Sequence, residues 1–342
     1  MRAVKRVVIA GVAAMTTTSF LTTAAQGGAP EPVKVVAEGL NGPFEVSADH
    51  RGRLLVTEAF IGQVTRVNPR TGATTPLVTD VPGASGAIRF GKLVAIVTGE
   101  ADPASPPPVP GSSVLLARPG RTAHQFADLM ANELKKNPDG QIQFDENGAP
   151  LDALSNPFNI ARDRTGKGLF IVADGGGNAV LRVGRHGKVS TLFVPRVVRT
   201  GECAERPNNT VDGFGCDPVP TGLAYGPRGK LYVSTLGGEA PGAGRVYVLN
   251  PRNGKVLKVY RGLTSPTGVA VSPRGTVFVS HVLESQITRI GIHGSRKVAQ
   301  VTMPVGLLWR HGGLYSSAFA LAEDPGAGQV VKVRGAAFGP AA

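Results

Sequence analysis

The segment Pro220-Thr221-Gly222-Leu223-Ala224-Tyr225-Gly226-Pro227-Arg228-Gly229-Lys230-Leu231-Tyr232-Val233-Ser234 returns as Pro266-Thr267-Gly268-Val269-Ala270-Val271-Ser272-Pro273-Arg274-Gly275-Thr276-Val277-Phe278-Val279-Ser280. Each copy opens on Pro, runs through an apolar stretch to a Pro-Arg-Gly turn, and enters a strand rich in β-branched and aromatic residues. Weaker copies begin at Pro43, Gly86, Pro157 and Pro304, so successive starts lie 43, 71, 63, 46 and 38 residues apart. Self-similarity at such a period marks a repeat architecture. The second strand of each unit is almost continuously apolar, as in Leu169-Phe170-Ile171-Val172, whereas the third alternates, as in Gln286-Ile287-Thr288-Arg289-Ile290. A buried strand beside a half-exposed one has this pattern. Glu239-Ala240-Pro241-Gly242-Ala243-Gly244-Arg245-Val246 also recurs 84 residues later as Glu323-Asp324-Pro325-Gly326-Ala327-Gly328-Gln329-Val330.

Repeats of this length with four strands each predict an all-β fold, a six-bladed β-propeller over residues 33–334, with two unrelated β-sandwiches as the alternative. The last unit stops at its third strand, Gln329 to Val333, while an orphan strand, Val33 to Ala37, precedes the first. Pairing the two closes the ring and leaves no free edge. Composition agrees: Gly 46 and Pro 27 in 342 residues favour short strands and many turns, and 42% hydrophobic against 18% charged residues excludes a disordered chain.

Residues 1–25 combine a basic start (Arg2, Lys5, Arg6), an apolar run from Val7 to Met15 and small residues up to Ala25, which reads as a secretory signal peptide. Residues 26–32 are then a linker and 335–342 a tail, and the expected location is extracellular. No segment is apolar for long enough to span a membrane. In an oxidising compartment Cys203 and Cys216 are expected to pair, closing a loop of about 14 residues for about 3 kcal/mol. Loss of the signal takes the formal charge from +13 to +10, which favours anionic partners such as a cell-surface polymer. Basic residues are scattered singly among few aromatics, so no specific nucleic-acid binding is expected, and a monomer is the expected state.

Three insertions interrupt the repeat, at 99–112, 127–155 and 195–218. All fall on the connection types that emerge at one mouth of the channel, where repeat proteins place binding surfaces. Asp128 to Lys136 reads as a short helix, with Phe126, Met130 and Leu134 on a face expected to cap the mouth.

Ser155-Asn156-Pro157-Phe158, Val172-Ala173-Asp174-Gly175-Gly176-Gly177-Asn178-Ala179-Val180-Leu181-Arg182-Val183, Val189-Ser190-Thr191-Leu192 and Val219-Pro220-Thr221-Gly222 resemble the ScyD/ScyE family of exported propellers, loosely over residues 33–334. The resemblance implies the architecture; cyanobacterial relatives are associated with scytonemin production, and no reaction transfers. The wider NHL-like and gluconolactonase-like six-bladed propellers would imply a channel calcium, which takes 6 to 8 oxygen ligands. The residues at the inner-strand starts, Phe44, Ala87, Phe158, Thr221, Thr267 and Val305, include no carboxylate, and only Glu45 and Asn159 follow one step on. That ligand set is absent, so no cofactor is predicted, with calcium kept as the open alternative.

The candidate chemistry lies at the second-strand ends. His281 with Asp174 and Glu58 would supply a base and carboxylates for a hydrolase or lyase, provided the three converge on a pocket. Otherwise these are turn residues that end strands by bonding loop amides. Glu100, Asn178, Glu239, Phe158, Thr221 and Thr267 are the expected ligand contacts. The functional expectation is a module binding a small molecule, glycan or anionic polymer at the mouth, with the hydrolase or lyase as the alternative.

Overall fold

The computed structural model describes residues 33–101 and 109–334; the expected signal peptide, linker and tail, and part of the first insertion, lie outside the described residues. Six four-stranded antiparallel sheets are arranged as a six-bladed propeller, with inner strands Pro43–Ala48, Ala84–Phe90, Pro157–Arg162, Pro220–Tyr225, Pro266–Val271 and Leu307–Arg310. Blades 1 to 5 are simple meanders. Blade 6 takes its outer strand, Val33–Leu40, from the N-terminal side, paired antiparallel with the third strand Gly328–Val333. The ring therefore closes by the predicted pairing of the chain's two ends.

The near-continuous apolar second strands, such as Phe170–Asp174 and Val277–His281, are buried along their whole length because a blade packs on each of their faces. Apolar clusters fill the wedges between blades. Phe90 and Phe126, from blade 2, meet Phe170 of blade 3 edge to face at 5.0 and 6.1 Å, and Trp309 of blade 6 stacks on Phe278 of blade 5 at 5.4 Å.

A polar lace runs inside this apolar packing. Second-strand hydroxyls donate to the next blade's inner-strand carbonyls: Thr57 to Ser85 at 2.9 Å, Ser234 to Thr267 at 2.7 Å, Ser280 to Val305 at 2.8 Å and Ser317 to Phe44 at 3.1 Å. Blades approach closely there. A Cβ on Gly222 would stand 2.6 Å from the Thr267 oxygen, and one on Gly306 2.6 Å from that of Phe44, so glycine at these positions permits the contact.

Inner and third strands run one way and second and outer strands the other. Inner-to-second and third-to-outer turns therefore share one face, the far face, while the other connections and all three insertions share the mouth. The predicted helix is present as Leu129–Lys136, N-capped by the Asp128 carboxylate, which accepts from the Ala131 amide at 2.8 Å. Its packing face differs from the expected one. Leu129, Asn132 and Glu133 are buried while Leu134 is 50% exposed, because Leu129 anchors the helix in the Phe170 cluster.

Gly306→Ala, which drives a methyl into the blade 6 to blade 1 contact, is expected to cost about 1–3 kcal/mol in urea denaturation. Ser317→Ala, which leaves a buried carbonyl unpaired, is expected to cost about the same. Gly291→Ala, with open space around it, should be neutral or stabilising.

Candidate functional site

The second and third insertions build the mouth over blades 3 and 4. The third is tied by the Cys203–Cys216 disulfide, Cα atoms 5.2 Å apart, and by the bridge of Val198 to Cys216. It leans on the second insertion through the Ile142 amide, which donates to the Asn209 carbonyl at 2.8 Å. Between them lies a cleft of about 730 Å³, walled by Val194, Val197 and Val211 and edged by Asp139, Gln141, Arg196 and the Arg199–Asp212 ion pair. Asn178 borders this cleft and also a smaller inner recess of about 50 Å³. Phe158, Val219 and Leu236 form the apolar wall of the recess, and Asp152, Asp217 and Glu239 its polar side.

Carboxylates gather around both cavities, and neutral amides hold them. Gln143 donates to Glu133 at 3.1 Å, Asn178 to Asp139 at 3.0 Å, Asn209 to Asp152 at 3.0 Å, and Asn208 to Asp217 at 2.8 Å. Amides satisfy the oxygens without cancelling their charge. Burial, reinforced by Asp139, Asp174 and Asp152, therefore pushes the Glu133 carboxyl up to about 8. Burial and then Asp217 raise Asp152 to about 7, and burial likewise raises Asp139. The outer cleft sets Arg196 and Arg199 against Asp139 and Asp212, whereas the lining of the inner recess holds Asp152, Asp217 and Glu239 and no cation.

Glu58, Asp174 and His281 do not converge. They stand at equivalent positions on blades 1, 3 and 5, about a third of a turn apart, and each bonds to its own blade or to the connection that leads into it. Glu58 accepts from Gln63 at 3.0 Å, from Thr65, and from the Asn41 amide at 2.8 Å. Asp174 is fully buried and accepts from Ser155 at 2.7 Å and from the amides of Asn156 at 2.8 Å and Gly177 at 3.2 Å. It is the strand-ending turn residue of the alternative reading, and burial raises it to about 6 despite those bonds. His281 Nδ1 lies 2.6 Å from the Thr264 carbonyl and Nε2 2.8 Å from the Thr288 hydroxyl. A carbonyl only accepts, so Nδ1 carries the proton and Nε2 accepts from Thr288. Burial lowers the His281 pKa against the Thr264 bond and the Glu284 carboxylate, which lies 3.9 Å from Nδ1.

The expected ligand contacts divide. Asn178, Glu239 and Phe158 line the cavities. Glu100 sits on the mouth, its amide bonded to Asn156 Oδ1 at 3.2 Å. Thr221 and Thr267 instead donate to the next blade's Pro266 and Pro304 carbonyls, at 3.3 and 3.0 Å, and belong to the lace. Glu45 and Asn159 meet inside the channel, where Asn159 donates to Glu45 Oε2 at 2.6 Å. Burial pushes the Glu45 carboxyl up to about 8. Its one amide partner and protonated state suit a neutral hydrogen bond, and do not suit the many anionic oxygens that calcium requires. Among the described residues no group of three or more His, Cys, Asp or Glu is placed to hold a metal ion.

Sequence reasoning missed Glu133, Asp139, Asp152 and Asp217. Their signal is the amide-rich composition of the insertions, in Asn137-Pro138-Asp139-Gly140-Gln141-Ile142-Gln143 and Pro207-Asn208-Asn209.

No protein-family profile matches the chain, and no curated protein matches it. Solved structures do. A luciferin-regenerating enzyme is 11% identical, with 89% of this chain and 95% of that one covered and a TM-score of 0.58. Virginiamycin B lyase from Staphylococcus aureus is 14% identical over 88% and 98%, with a TM-score of 0.53. The PQQ-bound aldose sugar dehydrogenase from Streptomyces coelicolor is 16% identical over 88% and 97%, with a TM-score of 0.51. At these identities the likeness establishes the propeller fold, which serves unrelated chemistries.

The raised carboxyls give the fold a pH dependence. A group whose pKa is higher folded than unfolded stabilises the fold while protonated, and that stability is lost as pH rises through the folded value. Melting temperature is therefore expected to fall progressively as pH rises from about 4 towards 8, the Asp152 share being lost by about pH 7 and the Glu133 share by about pH 8. Glu133→Gln and Asp152→Asn should each flatten the fall; a profile identical to that of the unaltered protein would refute the assignment.

Proposed function

We propose that this chain is an exported propeller of the ScyD/ScyE type that captures a small ligand at its mouth, in the cleft between the second and third insertions. The observation that carries the reading is the pair of neighbouring cavities that share Asn178 as a lining residue. The volume of the outer cleft lies within the range of about 300–1,000 Å³ common to small-molecule sites. Its apolar walls suit a ring or hydrocarbon body, and Phe158 offers the recess an aromatic surface. The amide-held carboxyls offer hydrogen-bonding oxygens with no cation bound to them, and those that burial lifts would gain from a donor, so they favour hydroxyl-bearing or cationic groups over anionic ones. Glycans and amine-bearing small molecules fit that description.

Export is supported by the basic-apolar-small order of residues 1–25 and by the formed disulfide, which suits an oxidising compartment. No helix among the described residues is long and apolar enough to cross a membrane. The hydrolase or lyase alternative asked His281 to act as a base beside Asp174 or Glu58. Both ring nitrogens are engaged by Thr264 and Thr288, and neither carboxylate is a partner.

A thermal-shift panel of neutral glycans, amine-bearing aromatics, aromatic lactones and calcium tests the reading. Compounds from the first two classes are expected to raise the melting temperature. Phe158→Ala and Asp152→Asn should reduce the response of any hit by at least about tenfold in apparent affinity, a loss of about 1.4 kcal/mol. A panel without hits, or hits indifferent to both substitutions, would sink the proposal, and turnover lost in His281→Gln would restore the enzyme.

A further inference from the structure

The far face carries charge of the opposite kind. Its turns present an exposed cation on every blade: Arg51, Lys92, Arg185, Arg228, Arg274 and Arg334. Among the described residues, the connections on this face hold two carboxylates, and both are buried and spent. Asp49 bonds Arg66 at 2.7 Å and Arg89 at 2.8 Å, and Asp163 bonds Arg182 at 2.8 Å. The carboxylates on exposed connections all lie at the mouth. A disc that sorts its charges in this way has a face built for anions.

The face is deepest at the closing seam. A cleft of about 490 Å³ lies between the strand Val33–Leu40 and the turn Pro69–Gly72, lined by Lys34, Arg70, Lys332 and Arg334 and by no carboxylate. Lys34 and Lys332 are cross-strand partners in the pairing that closes the ring. Like charges directly opposite destabilise a sheet, and an anion seated between them would reverse the sign of that contribution. Two arginines beside them offer forked donors that match phosphate or carboxylate oxygens.

We propose that the far face binds a linear polyanion, a polymer bearing repeated phosphate or carboxylate groups, and that the seam cleft is its principal anchor. Cations on six blades exceed what one small anion can reach, which favours an extended partner. The cleft is concave, so a chain can enter it and a flat bilayer cannot. Exposed large apolar side chains on this side are scattered, with Ile292 on a turn, Val35 at the cleft and Val256 and Leu257 opening an outer strand, whereas Phe60, Ile61, Ile142, Phe144, Val211, Phe214 and Leu283 are exposed on the mouth side.

The test uses long-chain inorganic polyphosphate as the probe, titrated at low and high salt against the full protein, with orthophosphate and anionic lipid vesicles as parallel arms. Polyphosphate is expected to bind, and to bind more weakly as salt rises. The quadruple variant Lys34→Gln, Arg70→Gln, Lys332→Gln, Arg334→Gln should lose at least about tenfold in affinity and reduce the log-log salt slope by roughly 3. Lys135→Gln with Lys136→Gln, on the mouth-side helix, should leave both unchanged. Lys34→Gln alone should weaken binding while the melting temperature stays level or rises, which separates lost binding from lost folding. Equal losses in the seam and helix variants would overturn the proposal. So would binding to vesicles without binding to polyphosphate, or displacement of polyphosphate by orthophosphate at equal phosphate concentration.

Discussion

Neighbouring inner strands stand so close that the carbonyl of one blade fills the space a methyl would need on the next. Gly222 and Gly306 are the positions where this shows, and the hydroxyls of Ser234 and Ser317 reach the same neighbouring strands. A buried carbonyl left without a donor costs about 1–3 kcal/mol. The lace therefore satisfies groups that the tight approach removes from water. Blades 2 and 3 place Val97 and Ala173 where the others carry a hydroxyl, and there Ser85 donates across to the Pro157 carbonyl instead. Apolar wedges bring the blades together, and the lace fixes how they face one another.

Once that orientation is fixed, every connection belongs to one of two faces, and the sequence treats the two faces differently. Far-face turns are short, glycine-containing and basic. Mouth-side connections include the three insertions, which carry 12 of the 24 acidic residues together with amides that hold several of them. Concentrating carboxylates in a half-buried cleft is unfavourable in itself, and it shows as pKa values lifted to about 8 at Glu133 and about 7 at Asp152. On the far face Asp49 follows the opposite logic. Burial works to raise it, yet bonds from Arg89 and Arg66 prevail and lower it to about 2. Cations neutralise the far-face carboxylates; at the mouth Arg199 does so for Asp212, while amides orient Glu133, Asp139, Asp152 and Asp217.

The architecture was legible because strand periodicity and the paired copies at Pro220 and Pro266 are local patterns. Closure was legible because an orphan strand and a missing strand must complete each other. The site was less so, for two reasons. Register shifts interrupt the inner-to-second pairing near the mouth, between Pro43 and Val46 and between Pro157 and Asn159, so side-chain direction there departs from simple alternation. Insertions also fold on one another, and no period reveals that Asn209 will reach Asp152 or that Gln141 will reach Asp217. His281 misled for a related reason. Its place at a strand end was read correctly, but the groups that occupy its nitrogens are Thr288 of its own blade and Thr264 of the connection leading into it.

The channel itself separates the two faces. Phe44 and Phe158, from blades 1 and 3, stack in parallel at 6.5 Å, and one residue further along the Glu45–Asn159 hydrogen bond spans the same pair of blades. Blade 2 contributes Gly86 at the equivalent point, and a Cβ there would stand 2.9 Å from the Phe158 carbonyl and 3.0 Å from the Asn159 Cα. A small residue on the middle blade thus lets its two neighbours close over it. Phe158 of this pair also walls the mouth recess, so the contact that closes blades 1 and 3 over blade 2 also sets one side of the candidate site.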